Sequence, residues 1–312
     1  MATFPQTTPT RLPPGQPGPR SKSGIPPQRP SFTLSCDDWT FHSLEFYLQG
    51  RPPVEHVREI EASLLRPEVR RRWFRDPLSG RLRIRGYSLI AHFSAPETTR
   101  LLSLGEIAAL MEASLQEFPW LRDPRLSVSR IDLASDHLVS APPGHVCDLI
   151  AEVNLPHSQR IARYRERGDP WHTVYHVSGR RSLDPIPFGE HHRKGKQPVV
   201  VAHYPRLEAL LDGLGAEAVS EAALEYTKDR IRQEVRFRRE AIRRCIGPGS
   251  ATVGAVLGSF AALVRAAERR LRPMTQSEGI LSLPGVGREG EAGLLAVASR
   301  LSRDSPAPPT KG

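Results

Sequence analysis

The chain has 312 residues, 38% hydrophobic and 25% charged, with 44 lysines and arginines against 34 aspartates and glutamates, a net charge of +10 and a pI near 10.0. That length allows one large domain or two modest ones, and the cationic surplus favours a polyanionic partner, nucleic acid before others. Cys36, Cys147 and Cys245 lie too far apart for a disulfide framework or a thiolate metal cluster, and no apolar run of roughly 18 residues or signal-peptide core points to a membrane or to export, so a reducing cytoplasm is expected.

Residues 1–31 hold nine prolines and almost no large apolar side chains. Such a stretch buries too little surface to offset its ordering entropy and is predicted as a disordered basic tail. Phe41, Leu44, Phe46 and Tyr47 place a strand over residues 38–48. Residues 54–75 run from helix formers into a basic cluster, Arg66, Arg70, Arg71, Arg72 and Arg75, with Trp73 and Phe74 among them. Arg81, Arg83 and Arg85 alternate with Leu82 and Ile84, the pattern of a half-buried strand with a cationic face, and residues 87–93 continue or pair with it. Ser103 and Glu106 have capping-box spacing ahead of an apolar stripe of Ile107, Leu110, Met111, Leu115 and Phe118.

A strand over residues 128–134 follows, then a short helix across 145–153. An arginine-rich connection (Arg160, Arg163, Arg165, Arg167) leads to a strand at 171–178. The loop 184–197 is rich in Pro, Gly, His and Lys, and His191 and His192 within it read as solvated. Beyond a strand at 198–204, helices are expected over 207–211 and 216–226, then a strand over 230–238 and a short helix ending at Gly247-Pro248-Gly249. Ser250 is the expected cap of a last amphipathic helix over 250–272. Residues 273–312 read as a mostly disordered tail with a marginal helix at Leu294 to Leu301. No regular βαβ period connects these elements, which gives an α+β domain over residues 32–249 with a central antiparallel sheet flanked by helices.

Three of the strands carry side chains that apolar burial does not explain: Asp132, Tyr204 and Glu234. Alternation groups Arg130 with Asp132, and Arg232, Glu234, Arg236 and Arg238 opposite Ile231, Val235 and Phe237. Stacked as neighbours, these strands bring two carboxylates, a tyrosine and several arginines over one sheet, the makings of a phosphoryl-transfer site. Asp136 reads as a turn residue, with a second metal carboxylate as the alternative. The arginine runs at 66–75, 160–167 and 230–244, with Trp73, Phe74 and Trp171 to stack bases, suit single-stranded or locally melted DNA. No Walker-type glycine loop is present, so ATP use is not expected.

With VSRIDLASDHLVSAP, HTVYHVSGR, VVVAHYPRLEAL and RIRQEVRFRREAIRRCIG in this order, the chain resembles the gene II/X type replication initiators of filamentous phages, relatives of plasmid rolling-circle Rep proteins. The resemblance covers roughly residues 80–250. It implies an endonuclease and strand transferase that nicks and rejoins DNA at an origin through a phosphotyrosine intermediate, in the cytoplasm of a bacterial host. On this reading Tyr204 is the nucleophile, with Tyr175 as the alternative, and Arg206 stands where the family has lysine. Asp132 and Glu234 would hold Mg²⁺ or Mn²⁺, and Arg130, Arg180, Arg232, Arg236 and Arg238 would contact DNA. A host replication helicase or polymerase is a further expected partner. The alternative is a non-catalytic regulator that binds an origin and descends from such an initiator.

Overall fold

A computed structural model describes residues 32–50, 54–123, 126–154, 161–164, 173–177, 199–247, 251–271, 281 and 284–303. Nine strands form one antiparallel sheet: β1 (Thr33–Cys36), β2 (Thr40–Gln49), β3 (Glu68–Arg75), β4 (Leu82–His92), β5 (Leu126–Val139), β6 (Ile161–Tyr164), β7 (Thr173–Val177), β8 (Val199–Pro205) and β9 (Arg230–Arg238). Their order is β3-β4-β2-β5-β9-β8-β7-β6, with β1 also on β5. The three strands singled out from sequence are therefore adjacent, with β9 between β5 and β8. Helices α1 (Val54–Ala62), α2 (Leu104–Glu117), α3 (Pro143–Asn154), α4 (Arg206–Leu214), α5 (Glu221–Thr227), α6 (Arg239–Ile246), α7 (Val253–Gly258), α8 (Phe260–Leu271) and α9 (Arg288–Arg303) flank it. The class is α+β.

Alternation, broken at a few bulges, gives the sheet two unlike faces. Ile131 and Leu133 of β5, Val235 and Phe237 of β9, and Val199 and Val201 of β8 join one buried cluster with α2, α6, α7, α8 and α9. Phe41 of β2 meets Phe260 of α8 with ring centroids 5.1 Å apart and planes at 59°, a tilted contact that suits the ring quadrupoles. The capping box of α2 forms as its spacing predicts: Ser103 Oγ accepts from the Glu106 amide, and the Glu106 carboxylate accepts from the Ser103 amide.

Several expectations are corrected. The marginal helix expected at Leu294 to Leu301 is part of the 16-residue α9, which is longer than expected and whose Leu294, Val297, Ala298 and Leu301 are buried in the main core. Its glycines, which resemble disorder in sequence, are packing residues. A Cβ on Gly290 would stand 2.5 Å from the Leu104 Cβ, and one on Gly293 would stand 3.2 Å from the Ala108 Cβ, so α9 lies close against α2 because those side chains are missing. The last amphipathic helix is two helices. Thr252 caps α7, while Ser250 lies outside the described residues. The helix expected over 216–226 is a 3-10 turn, Ala216–Ala218, and then α5, capped by Ser220.

Candidate active site

The face of the sheet opposite the main core carries the charges. In the register, Asp132 pairs with Arg236, Asp136 with Arg232, and Arg130 with Arg238 across β5 and β9. On the other side of β9, Tyr204 pairs with Arg232 and Ala202 with Glu234. Asp132, Tyr204 and Glu234 thus share one face, as their alternation predicts. Two clusters form there, one sealed and one partly open.

The sealed cluster is centred on Asp136. Arg232 donates from Nε and Nη2 to its two carboxylate oxygens, both at 2.7 Å, and Tyr226 Oη donates to Oδ2 at 3.0 Å. Arg232 has only 1% of its side chain exposed and Asp136 none. Arg206, the first residue of α4, also points here. Its Nη2 donates to the Thr99 carbonyl at 3.1 Å, and its Nε lies 3.9 Å from Asp136 Oδ1. Thr99 adopts a left-handed φ of 58°, a costly conformation for a β-branched residue, which the arginine hydrogen bonds to its carbonyl help hold. Burial pushes the Asp136 carboxyl up, but Arg232 and then Arg206 outweigh it and bring it down to about 2. Asp136 is thus a strand residue in a buried ion pair, not a turn residue. Arg232 is the other half of that pair, which corrects its expected role as a DNA contact: a guanidinium sealed against a carboxylate has no face left for phosphate.

The open cluster joins Asp132 and Glu234. Asp132 accepts from Ser43 Oγ at 2.8 Å, from Arg236 Nε at 3.0 Å, and from both Nε and Nη2 of Arg130. Glu234 accepts from Arg236 Nη2 at 2.8 Å and from the Tyr204 hydroxyl at 3.1 Å. Arg130 keeps 25% of its side chain exposed and Arg236 17%. Burial raises the Glu234 carboxyl, yet Arg236 and then His42 hold it well below the usual carboxylate range. Burial and the Glu234 charge both raise the Tyr204 phenol, while Arg232 and Arg206 pull it down without offsetting them. In this arrangement the phenol is neutral and hydrogen-bonded to an ionised carboxylate.

His42 carries no signal in the sequence pattern. Plain alternation along β2 puts it on the same side as Leu44, Phe46 and Leu48. The register shifts between Phe41 and Ser43, where β2 pairs with β5. This bulge sends Phe41 and Leu44 into the core and turns both His42 and Ser43 toward the carboxylates. His42 Nδ1 lies 3.2 Å from Glu234 Oε2, yet it is a buried atom with no hydrogen-bond partner among the described residues. Single donor atoms of His42, Asp132 and Glu234 all lie within 4.8 Å of one another. Two carboxylates with an imidazole nitrogen fit Mn²⁺ more closely than Mg²⁺, which prefers an all-oxygen shell, and the orphaned nitrogen facing a carboxylate is the feature such an ion would complete.

Positive charge is in excess around this pair. Arg238 is pushed down from the usual guanidinium range by burial and then by the charges of Arg236 and Arg130. Three arginines thus crowd two carboxylates that Arg130 and Arg236 already neutralise, and a divalent cation would leave a strongly positive pocket suited to an anion. His203 faces the opposite side of the sheet from Tyr204, with its Nε2 3.0 Å from Gln233 Oε1. Tyr175 stands on β7 and pairs in register with Ala202. Arg180, His191, His192 and Trp171 lie outside the described residues.

No protein-family model matches the chain, and no curated protein matches it. Among solved structures, a rolling circle replication initiator protein from Geobacillus stearothermophilus aligns over 85% of this chain and 97% of its own, at 12% identity and a TM-score of 0.35. A likeness that slight assigns neither fold nor function.

Proposed function

We propose that this protein initiates rolling-circle DNA replication, nicking and rejoining one DNA strand through a phosphotyrosine intermediate with the help of Mg²⁺ or Mn²⁺. The observation that carries the reading is the Tyr204 hydroxyl 3.1 Å from Glu234 beside the His42–Asp132–Glu234 donor set. The ordered sequence resemblance to gene II type initiators supports it independently. A nucleophile, an acceptor for its proton, a cation site and surplus arginines are the parts a phosphodiester transfer needs.

In the reaction, Tyr204 Oη attacks the scissile phosphorus and its proton passes to Glu234 Oε2, within the reach general-base transfer requires. The P–O3′ bond breaks as the O–P bond to tyrosine forms, and the departing O3′ takes up a proton from water, leaving a 5′-phosphotyrosine and a free 3′-hydroxyl. Attack by a 3′-hydroxyl later reverses the step and reseals the strand. The resting phenol is raised, so ionisation must await positive charge. Arg130, Arg236 and Arg238 surround the carboxylates and are the groups that would stabilise the phosphate as it gains charge. Arg206 and Arg232 act on Tyr204 only through their field. A bound divalent ion, held by His42, Asp132 and Glu234, would polarise the phosphate oxygens.

A second reading, an origin-binding regulator without catalysis, is favoured by one observation: Arg130, Arg236 and Ser43 already satisfy Asp132 and Glu234. The test is cleavage of end-labelled single-stranded DNA from a pool with a randomised centre and from the replicon that encodes the chain, with and without Mn²⁺. Metal-dependent cleavage that Asp132→Asn and Glu234→Gln each abolish, with DNA affinity retained, is the expected result. Unaltered cleavage in both variants would remove the cation site. DNA binding without cleavage by the parent protein would favour the regulator.

A further inference from the structure

Strands β3 and β4 form the free end of the sheet. β2 pairs with β4 only as far as Gln49 opposite Gly86, whereas β3 pairs with β4 out to Arg75 opposite Leu82. The outer part, about 10 Å of paired strand plus its turn, therefore has no third strand beside it. The turn is well specified. Gly80 takes a left-handed φ of 64°, its amide donates to the Asp76 carbonyl at 2.8 Å, and Asp76 Oδ1 accepts from the Leu78 amide at 3.0 Å.

Residues 68–85 hold seven arginines against Glu68 and Asp76, half of the net charge of +10 in a short stretch of chain. Arg71, Arg81 and Arg85 have no carboxylate partner among the described residues. Charge alone would be an ordinary way to keep an edge strand from pairing with other chains. The apolar residues contradict a purely protective role: Trp73 is 53% exposed, Leu82 63% and Leu78 97%. An edge built only to repel would not carry an uncovered tryptophan. The ribbon is also continuous with the proposed site. Arg72 Nη2 donates to Glu45 Oε1 at 2.5 Å, Ser88 Oγ donates to the same oxygen at 2.7 Å, and Glu45 pairs in register with Arg130, which holds Asp132.

We infer that the β3–β4 ribbon is a duplex-binding arm, which lies in a DNA groove beside the strand being cut and reads its phosphates through Arg71, Arg81 and Arg85. This rests on the proposal that the protein acts on DNA. A two-stranded ribbon matches the width of the major groove, and arginines along both strands match its two phosphate walls. Trp73 and Leu82 supply apolar contact with sugars and thymine methyls. The arm holds the duplex flank while the open cluster works on the strand released from it.

The test measures binding of the full chain to a labelled mixed-sequence duplex and to the same strand alone, across a salt series. Replacing Arg71, Arg81 and Arg85 together by alanine should weaken duplex binding at least about tenfold and make the log–log salt dependence shallower by about 2–3. The corresponding triple lysine variant should keep the slope, and single-strand affinity should change little in either. Unchanged duplex affinity and slope would overturn the arm, as would a loss confined to the single strand. Trp73→Ala, which leaves the charge intact, should weaken duplex binding at an unchanged slope. It reports on the arm even if the triple variant folds poorly, and parent-like affinity would count against the groove contact. Failure of the parent protein to bind either DNA in a salt-dependent way would instead defeat the proposed function itself.

Discussion

Two carboxylates four residues apart on β5 have opposite fates. Asp136 is closed off by a bidentate arginine, a tyrosine and the Thr99 loop, with no exposed side-chain surface. Asp132 is equally buried, but its arginine partners reach solvent, and the bulge in β2 brings a histidine with an orphaned nitrogen to its neighbour Glu234. The sequence around the two is much alike, an acid on a β-branched strand facing arginines. What separates the structural ion pair from the proposed site is whether the covering elements close over it. Asp136 lies under α5 and the 95–100 loop, whereas Asp132 lies beside the bulge in β2 and under arginines that reach solvent.

The largest expected difference is in stability. Arg232→Ala leaves Asp136 charged and buried, and should cost about 3–5 kcal/mol in urea unfolding. Arg130→Ala leaves Asp132 with Arg236 and Ser43, and should cost only about 1 kcal/mol. Equal costs would erase the distinction between the clusters.

Acid should distinguish the two faces of the sheet as well. Asp136, held at about 2 against an ordinary 3.8, stabilises the fold at all pH above 3.8 and loses that contribution only as pH falls toward 2. On the other face, burial brings His203 down to about 4, and burial with the nearby His203 brings His137 down to about 3, both from 6.5. Below pH 6.5 the unfolded chain takes up protons that these folded histidines refuse, so stability falls from there toward pH 4 and 3. The urea midpoint should drop between pH 6.5 and 4, and His203→Gln should flatten the drop. A midpoint constant over that range would contradict the neutral buried pair.

The smallest stability effect is expected at the most informative position. His42→Ala removes a partly exposed imidazole that faces Glu234 at 3.2 Å, and should change stability by only about 0.5 kcal/mol. It should nevertheless weaken Mn²⁺ binding, followed by water-proton relaxation, by at least the roughly 10–100-fold typical of losing an outer-shell partner. Parent-like Mn²⁺ affinity would exclude His42 from the site.

Much of this arrangement was legible before any coordinates. Alternation in β5, β8 and β9 gave the shared face of Asp132, Tyr204 and Glu234, and the Ser103–Glu106 spacing gave the start of α2. The failures have physical causes. His42 was hidden by a bulge, a feature of pairing between two strands that periodicity in one strand cannot contain. Asp136 passed for a turn residue because its neutralising arginine lies almost a hundred residues away. The first half of α9 and its place in the core are masked by Gly290 and Gly293, which allow close approach to α2 and whose local propensity speaks for coil.

The proposed function turns on the covalent joining of Tyr204 to DNA. The direct measurement is denaturing capture of protein–DNA adducts formed with Mn²⁺ on replicon DNA, followed by nuclease trimming and peptide mass mapping. A nucleotide mass on the peptide containing Tyr204, lost in Tyr204→Phe, is the predicted result. An adduct mapped to Tyr175 or elsewhere, or no adduct despite salt-dependent DNA binding, would contradict it.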